Sequence, residues 1–259
     1  MIRLKTAEQF RLMREAGKIT GEALLKGGEA VKDGVSTKHI DDVVRSTIEK
    51  YGAIPSFLGY GGFPCSACVS INNQVIHGIP SPDTIIREGD IVKIDVGAIF
   101  RGFHGDSACT FPCGAISAEA QRLIDVTRES FYRGYETIKA ASKTDMLEGR
   151  LRLGDVGHAV QTYAEANGFS VVRKFVGHGI GRDLHESPEV PNYGTPGRGQ
   201  RLMPGMAIAL EPMINAGGHE VEVLDDGWTV LTKDNSLSAH YEHTIAITDN
   251  GPELLTYIG

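Results

Sequence analysis

The sequence contains Gly89-Asp90-Ile91-Val92-Lys93-Ile94-Asp95 in its first half and Gly205-Met206-Ala207-Ile208-Ala209-Leu210-Glu211 in its second. Each stretch is a glycine, an apolar run typical of a β-strand, and a carboxylate at the end of that run. The stretches lie 116 positions apart (89 to 205), and the same spacing separates Gly52 from Gly168, each of which follows a helical pattern. Self-similarity at a fixed spacing indicates an internal structural repeat. We therefore expect an α+β fold of two similar α/β halves, in which Asp95 and Glu211 hold equivalent positions.

Helical and strand patterns surround both stretches. Thr6-Ala7-Glu8-Gln9 has the form of a capping box and begins the first helix. Apolar periodicity predicts helices that end at Gly27-Gly28 and at Gly52, two more at 118–141 and 156–167, and an irregular connection at 142–152. Apolar runs bounded by turn residues predict strands at 69–79, 91–100, 103–111, 170–176, 205–211, 227–232 and 241–248.

Two carboxylates lie in one predicted hairpin. If Arg101-Gly102 is a two-residue turn, Asp106 lies opposite Gly97 and one diagonal step from Asp95. Diagonal neighbours in an antiparallel pair are about 7–8 Å apart at the backbone, so both side chains can reach one cation. Two such acids repel each other unless a proton or a metal ion lies between them. The hairpin therefore indicates a cation site, with a solvated sheet face as the simpler alternative.

Three further residues extend this set. Glu211 ends a run that is apolar on both faces and is followed by proline, which predicts a carboxylate pointing into the interior or a cleft. Glu242 precedes another apolar strand, and His178 lies among the glycines of 177–181. One imidazole with four carboxylates suits a pair of Mn, Fe, Co or Zn ions, the arrangement of two-metal hydrolases. The glycines do not form a nucleotide-binding fingerprint, and no G-x-S-x-G elbow indicates a serine hydrolase.

Composition excludes several other classes. The chain has 259 residues, with 33 acidic against 26 basic side chains and a formal charge of −7. We expect no DNA binding, because no basic block is present. We expect no membrane span, because no apolar run approaches the required length, and the cytoplasm is the expected compartment. The pairs Cys65/Cys68 and Cys109/Cys113 have spacings seen in zinc sites, but reduced, partly buried thiols are the favoured interpretation.

Together these motifs resemble the type I methionine aminopeptidases, a family with the pita-bread fold. The matching motifs are Ser70-Ile71-Asn72, His77-Gly78-Ile79-Pro80, Lys93-Ile94-Asp95-Val96, Gly105-Asp106, Gly177-His178-Gly179-Ile180-Gly181, Leu184-His185-Glu186, Glu211-Pro212, Ser236-Leu237-Ser238-Ala239 and Tyr241-Glu242-His243-Thr244. The resemblance implies one catalytic domain over residues 1–259. It also implies two pseudo-symmetric α/β halves around a central antiparallel β-sheet.

The resemblance implies a ligand set and a reaction as well. Two divalent ions, Co, Mn, Fe or Zn, would be held by Asp95, Asp106, His178, Glu211 and Glu242. Asp106 and Glu242 would bridge both ions, Asp95 would favour one, and His178 with Glu211 the other. A water or hydroxide activated by the two metals would attack the carbonyl after the first residue, with Glu211 as proton acceptor. His77 and His185 would bind the substrate and stabilise the scissile amide as its charge develops.

The implied substrates are proteins and peptides that begin with methionine, cleaved when the second residue is small. The methionine pocket would be formed by Phe57, Tyr60, Phe63, Cys68, Leu184 and Trp228. Phe57 replaces a cysteine that is common in the family and Leu184 an aromatic residue, so the pocket has its own shape. We expect a monomer, and the family's work on nascent chains is compatible with a transient ribosome contact.

Two alternatives of the same fold remain. One is a relative directed at Xaa-Pro bonds, such as prolidase or aminopeptidase P. Those enzymes carry an additional N-terminal domain, for which we expect no room in 259 residues. The other is a metal-free pita-bread binding module, which the five intact ligand positions disfavour. A structural protein with incidental acids would require both strand-terminal carboxylates of the repeat to be coincidental.

Overall fold

Residues 2–257 are described by a computed structural model of the chain. They form five α-helices: Ala7–Glu29 (α1), Thr37–Lys50 (α2), Ala118–Ala140 (α3), Lys143–Leu147 (α4) and Leu153–Ala166 (α5). The strands of the first half are Ile54–Pro55 (β1), Ala67–Ile71 (β2), Gln74–Ile76 (β3), Ile91–Phe100 (β4) and Phe103–Pro112 (β5). Those of the second half are Ser170–Val171 (β6), Gly177–Gly179 (β7), Glu186–Val190 (β8), Ala207–Leu210 (β9), Met213–Asn215 (β10), Val221–Val223 (β11), Val230–Thr232 (β12), Ser238–His240 (β13), His243–Thr248 (β14) and Gly251–Leu254 (β15).

The capping box predicted at the start of α1 forms, and a capping box at the start of α4 was missed. At the start of α1, Thr6 Oγ1 accepts from the Gln9 N–H while the Thr6 N–H donates to Gln9 Oε1, which satisfies two free backbone donors. The stretch 142–152, predicted to be irregular, contains α4. Its start is a second capping box between Ser142 and Asp145, so the polar composition of this stretch concealed a helix signal.

The first sheet follows the predicted hairpin. Strands β4 and β5 pair antiparallel around Arg101-Gly102, and Gly97 lies opposite Asp106, which confirms the predicted register. Strands β1 and β2 pair with the other edge of β4. The second half builds a five-stranded sheet in the order β15-β14-β9-β7-β8, and two three-stranded sheets, β13-β10-β6 and β11-β12-β3, complete the fold.

The internal repeat is confirmed in three dimensions. Helix α2 shifted by 116 positions (37 to 153, 50 to 166) coincides with α5, and β1 shifted by the same number coincides with β6. Gly89 and Gly205, the glycines that precede the two repeated strands, have φ angles of 95° and 94°. Only glycine adopts that conformation without strain. The molecule is therefore an α+β structure of two pseudo-symmetric halves, as the pita-bread resemblance implies.

In each half, one of the hydrophobic clusters lies between helices and sheet. In the first, α1 and α2 pack on β2 and β4, and in the second, α3 and α5 pack on β9 and β14. The halves meet where β5 reaches the start of β14. There the Glu242 N–H donates to the Ala108 carbonyl (2.9 Å) and the Ala108 N–H donates to the Glu242 carbonyl (3.3 Å). This seam brings both sets of candidate ligands together.

Several strands are shorter than predicted. Within 170–176 the regular strand is Ser170–Val171, which pairs with β10, and one further bond, from the Val172 N–H to the Met213 carbonyl (3.0 Å), ends the contact. The predicted strands 205–211 and 241–248 are Ala207–Leu210 and His243–Thr248. Glu211 and Glu242 therefore lie just outside regular strands, where the side chain is not confined to the alternation of the sheet. Within residues 2–257, no helix has the length and apolarity needed to cross a membrane.

Candidate functional site

The five predicted ligands come from five separate segments and converge at the seam. Asp95 lies on β4, Asp106 on β5 and His178 on β7, while Glu211 follows β9 and Glu242 precedes β14. The candidate ligand atoms of Asp106, His178 and Glu242 all lie within 4.8 Å of one another. Nε2 of His178 is 3.5 Å from Asp106 Oδ2 and 3.6 Å from Glu211 Oε1. One imidazole and several carboxylates thus face a common point.

The protonation state of His178 indicates that a cation fits at this common point. Its Nδ1 lies 2.9 Å from the Gly179 carbonyl oxygen, which can only accept, so Nδ1 carries the proton. Burial lowers the pKa of His178 to about 4, so the ring is neutral and Nε2 presents a lone pair. That lone pair faces the carboxyl oxygens of Asp106 and Glu211, which carry only lone pairs themselves when the acids are ionised. Such an arrangement is favourable when a cation lies between them.

The carboxylates show the same need for a cation. Asp95 Oδ1, Asp106 Oδ1 and Glu242 Oε1 are buried and have no hydrogen-bond partner among residues 2–257. Burial raises the pKa of Asp106 to about 8. Burial, and after it the charges of neighbouring carboxylates, raises the pKa of Asp95, Glu211 and Glu242 well above the ordinary range. Unpaired buried oxygens with one imidazole nitrogen are the donor set that divalent ions bind, so the residues fit a metal centre.

Side-chain hydroxyls fix the segments that carry Asp106 and Glu242. Thr244 Oγ1 accepts from the Asp106 N–H (3.0 Å) and donates to the Asp106 carbonyl (2.9 Å). Ser107 Oγ donates to the Glu242 carbonyl at 2.7 Å. Thr110 Oγ1 donates to the His240 carbonyl and accepts from the His240 N–H, both at 2.9 Å. These bonds add to the backbone pairing of Ala108 with Glu242 and hold β5 against β13 and β14.

Thr244→Val is expected to lower the free energy of unfolding by about 1–3 kcal/mol, because it leaves the buried Asp106 N–H without a partner. Valine has nearly the shape of threonine, so packing is preserved and the lost hydrogen bonds dominate. Urea unfolding of the metal-free protein measures the effect. Thr137→Val is the control, since its hydroxyl bonds only the Arg133 carbonyl of its own helix, and a change within about 0.5 kcal/mol is expected. Equal stability of the two variants would contradict the structural role of Thr244.

A cavity of about 130 Å³ opens beside the cluster. Thirteen residues line it, and they are the thirteen that the sequence analysis named as ligands, substrate-side histidines or pocket residues: Phe57, Tyr60, Phe63, Cys68, His77, Asp95, Asp106, His178, Leu184, His185, Glu211, Trp228 and Glu242. Asp106 and Glu242 are buried, whereas Tyr60 and His185 are exposed. The cavity therefore runs from an exposed rim to an acidic interior.

Aromatic and imidazole side chains shape the wall between rim and interior. The Tyr60 hydroxyl is hydrogen-bonded to His185 Nδ1 at 2.7 Å, and the His185 ring lies 4.2 Å from that of His178. Trp228 packs edge-on against Phe63, with ring centroids 5.1 Å apart. Burial lowers the pKa of His77 to about 4, so at neutral pH its imidazole is uncharged and has one N–H to donate. The wall is thus apolar, with neutral imidazoles next to the acids.

Cys68 is one of four free thiols in the structure. It lies opposite Asp95 in the pairing of β2 with β4, which explains its place in the cavity wall. Burial raises the pKa of the Cys68 thiol well above its ordinary value, so the thiol is protonated and contributes as a small apolar group.

Two residues near the site were missed from the sequence. Phe175 packs edge-on against His77, with ring centroids 5.9 Å apart. His240 is buried, and its Nε2 lies 3.8 Å from Glu211 Oε2. The position of His240, two residues before Glu242 in an extended segment, could have indicated it, because alternate residues of such a segment share a side.

Comparison with known proteins places these features in a family. Residues 11–249 match the model of metallopeptidase family M24. A methionine aminopeptidase of Clostridium perfringens is 54% identical over 258 residues, with 100% of both chains covered. Methionine aminopeptidase 1 of Bacillus subtilis is 48% identical over the same length, again with 100% of both chains covered.

Solved structures agree. A methionine aminopeptidase of Thermotoga maritima superposes with a TM-score of 0.93 at 43% identity, covering 100% of both chains. The prolidase of Pyrococcus furiosus shares the fold at a TM-score of 0.72 and 20% identity, covering 99% of this chain and 66% of its own. The resemblance inferred from the sequence is confirmed: the chain belongs to metallopeptidase family M24 and, within it, to the methionine aminopeptidases.

Proposed function

We propose that this chain removes N-terminal methionine from proteins and peptides whose second residue is small, as a metal-dependent hydrolase formed by one catalytic domain over residues 1–259. The observation that carries the proposal is the unprotonated Nε2 of His178, which faces Asp106 and Glu211 at 3.5 and 3.6 Å within a buried acidic cluster. The methionine aminopeptidases to which the chain is similar supply the substrate.

Five residues are proposed to hold two divalent ions: Asp95, Asp106, His178, Glu211 and Glu242. Asp106 and Glu242 would hold the ions together with His178, since the ligand atoms of these three residues lie within 4.8 Å of one another. Bound there, divalent ions supply a Lewis acid that polarises a carbonyl and makes water nucleophilic at neutral pH.

The remaining roles belong to side chains. Glu211 is proposed as the proton acceptor, because it lines the cavity and one of its oxygens faces His178. His77 and His185 are proposed to donate N–H groups to the scissile carbonyl as negative charge develops there. Both line the cavity beside the acids.

The depth of the acids explains why cleavage would be confined to the chain terminus. A substrate must bring its scissile bond to Asp106 and Glu242, which are 4% and 2% exposed. The whole cavity, from its rim to these acids, has a volume of about 130 Å³, which is room for one side chain and not for a chain that continues past the scissile bond. Phe57, Phe63, Cys68, Leu184 and Trp228 give it apolar walls, which suit a flexible thioether.

The purified protein, stripped of metal and reloaded separately with Mn, Fe, Co or Zn, is expected to release free methionine from Met-Ala-Ser and Met-Gly peptides. Chromatography of the products measures release. A peptide beginning Met-Leu is the control, and slow release from it is expected because its second residue is large. Absence of methionine release with all four metals would contradict the proposed function.

Xaa-Pro peptides test the nearest alternative in the same assay. Cleavage of these peptides, with Met-Ala-Ser left intact, would assign the chain the specificity of the prolidase-like relatives instead. The metal series also identifies the ion that supports the fastest release. A monomeric state, a cytoplasmic location and a transient contact with the ribosome are further proposals, which sedimentation, fractionation and co-sedimentation with ribosomes can test.

A further inference from the structure

His240 is a buried imidazole without hydrogen bonds of its own. It is 1% exposed, and neither Nδ1 nor Nε2 has a partner among residues 2–257. Buried polar atoms without partners are rare, because each costs about 1–3 kcal/mol. A neutral imidazole carries one N–H that must donate and one nitrogen that can accept. The ring therefore has a free donor in the interior of the protein.

The backbone, not the ring, holds His240 in place. Its N–H and carbonyl are both bonded to Thr110 Oγ1 at 2.9 Å, and β13 pairs His240 with Met213 of β10. The position of the ring is thus set from both neighbouring strands. Its hydrogen-bonding capacity is not used to maintain the fold.

The acceptor that faces this donor is Glu211. His240 Nε2 lies 3.8 Å from Glu211 Oε2, while the other oxygen, Oε1, lies 3.6 Å from His178 Nε2. The two Glu211 oxygens thus face two different imidazoles: His178, a proposed metal ligand, and His240, which is not one. His240 does not line the cavity, so it can reach substrate or metal only through Glu211.

We propose that His240 is a positioning residue whose Nε2–H holds Glu211 Oε2, so that Oε1 is directed at the metal centre. A shift of about 1 Å brings the pair within hydrogen-bond distance. Ligating carboxylates are commonly oriented in this way by a second hydrogen bond. Because His240 acts through a proposed ligand, its role rests on the function proposed above.

Asparagine and glutamine distinguish the two ring nitrogens. The amide nitrogen of His240→Gln can occupy the place of Nε2, whereas that of His240→Asn reaches only the place of Nδ1. Both variants put a polar amide in the same buried site. Glutamine therefore keeps the bond to Glu211 and asparagine loses it, with similar disturbance of the fold.

Mn²⁺ affinity of the metal-free protein, measured by titration calorimetry, is the primary test. We expect His240→Asn to bind Mn²⁺ about 10–100-fold more weakly, and His240→Gln to stay within about threefold of the unchanged protein. For Met-Ala-Ser, His240→Asn is expected to lower kcat by a similar factor with KM little changed. Urea unfolding of the metal-free variants is expected to be alike.

Thr232→Val is the matched control, because it removes a buried bond to the Ser236 carbonyl away from the ligands. It is expected to lower stability and to leave Mn²⁺ affinity unchanged. Unchanged affinity in His240→Asn, or equal weakening in both His240 variants, would overturn the proposal. If the unchanged protein binds Mn²⁺ but leaves Met-Ala-Ser intact, the proposed function fails, and the affinity comparison still decides the role of His240.

Discussion

Glu211→Ala is expected to lower kcat/KM for Met-Ala-Ser by at least about 10³-fold. The change removes the proposed proton acceptor, a contribution of about 10²–10⁴-fold by itself, together with one proposed metal ligand. The fold should persist, because the Glu211 carbonyl is held by the Asn192 side chain at 3.0 Å whatever group follows Cβ. Removal of a carboxyl that burial disfavours also relieves a cost in the metal-free protein.

Peptide cleavage at saturating metal measures the loss, and urea unfolding tests the fold. Glu222→Ala is the control, since Glu222 lies exposed on β11 and does not line the cavity. It should cleave like the unchanged protein. Turnover retained in Glu211→Ala would refute the assigned role of Glu211, and a lost unfolding transition would show that the side chain serves the fold instead.

Site residues that lie close together along the chain could be located from the amino-acid sequence. A two-residue turn at Arg101-Gly102 fixes which residues face each other, so the relation of Asp95 to Asp106 follows from counting positions. The repeat made Glu211 the counterpart of Asp95, because equal spacing along the chain reflects equal folding of both halves. Apolar periodicity located the large helices for the same local reason.

Contacts between segments that are distant in the sequence could not be predicted in that way. His240 faces Glu211 only because β13 and β10 lie side by side, a pairing that no local pattern indicates. The convergence of His178 with Asp106 depends on how the two half-sheets meet, and the sequence indicated it through ligand chemistry and family resemblance, not through any local pairing pattern. Helix α4 was missed for a different reason, since a five-residue helix leaves little periodicity to detect.

The stabilisation of the protein by saturating Mn²⁺ is expected to increase as the pH rises from 6 to 8. Without metal, the pKa of Asp106 is about 8 against an ordinary value of 3.8, and those of Asp95, Glu211 and Glu242 are also raised. The metal-free fold thus holds protons that the unfolded chain has released. Groups whose pKa is raised by folding stabilise the fold fully below pH 4, and this stabilisation is lost as the pH rises through their pKa values in the folded state.

Other buried groups titrate with the opposite sign. Burial lowers the pKa of His178 and His243 to about 4. Keeping these imidazoles uncharged therefore costs the fold stability at low pH, and this cost disappears as the pH rises to about 6.5. Burial also lowers the pKa of Lys93, which acts in the same direction at higher pH. The pH dependence of the free energy of unfolding of the metal-free protein therefore combines contributions of opposite sign. The difference between metal-loaded and metal-free protein cancels the groups that do not contact metal, and His178, a proposed ligand, is already uncharged in the metal-free fold between pH 6 and 8.

That difference isolates the carboxylates. Each proton that Mn²⁺ displaces from the cluster adds about 1.4 kcal/mol of stabilisation per pH unit, so two displaced protons give about 5–6 kcal/mol between pH 6 and 8. Calorimetry in buffers of different ionisation enthalpy counts the protons directly, and one or more per protein is expected. A variant at the exposed rim, Tyr60→Phe, keeps the cluster and should release the same number. Stabilisation that does not change with pH, without proton release, would show that the acids are already ionised before metal binds, and the unpaired oxygens of Asp95, Asp106 and Glu242 would then need another partner.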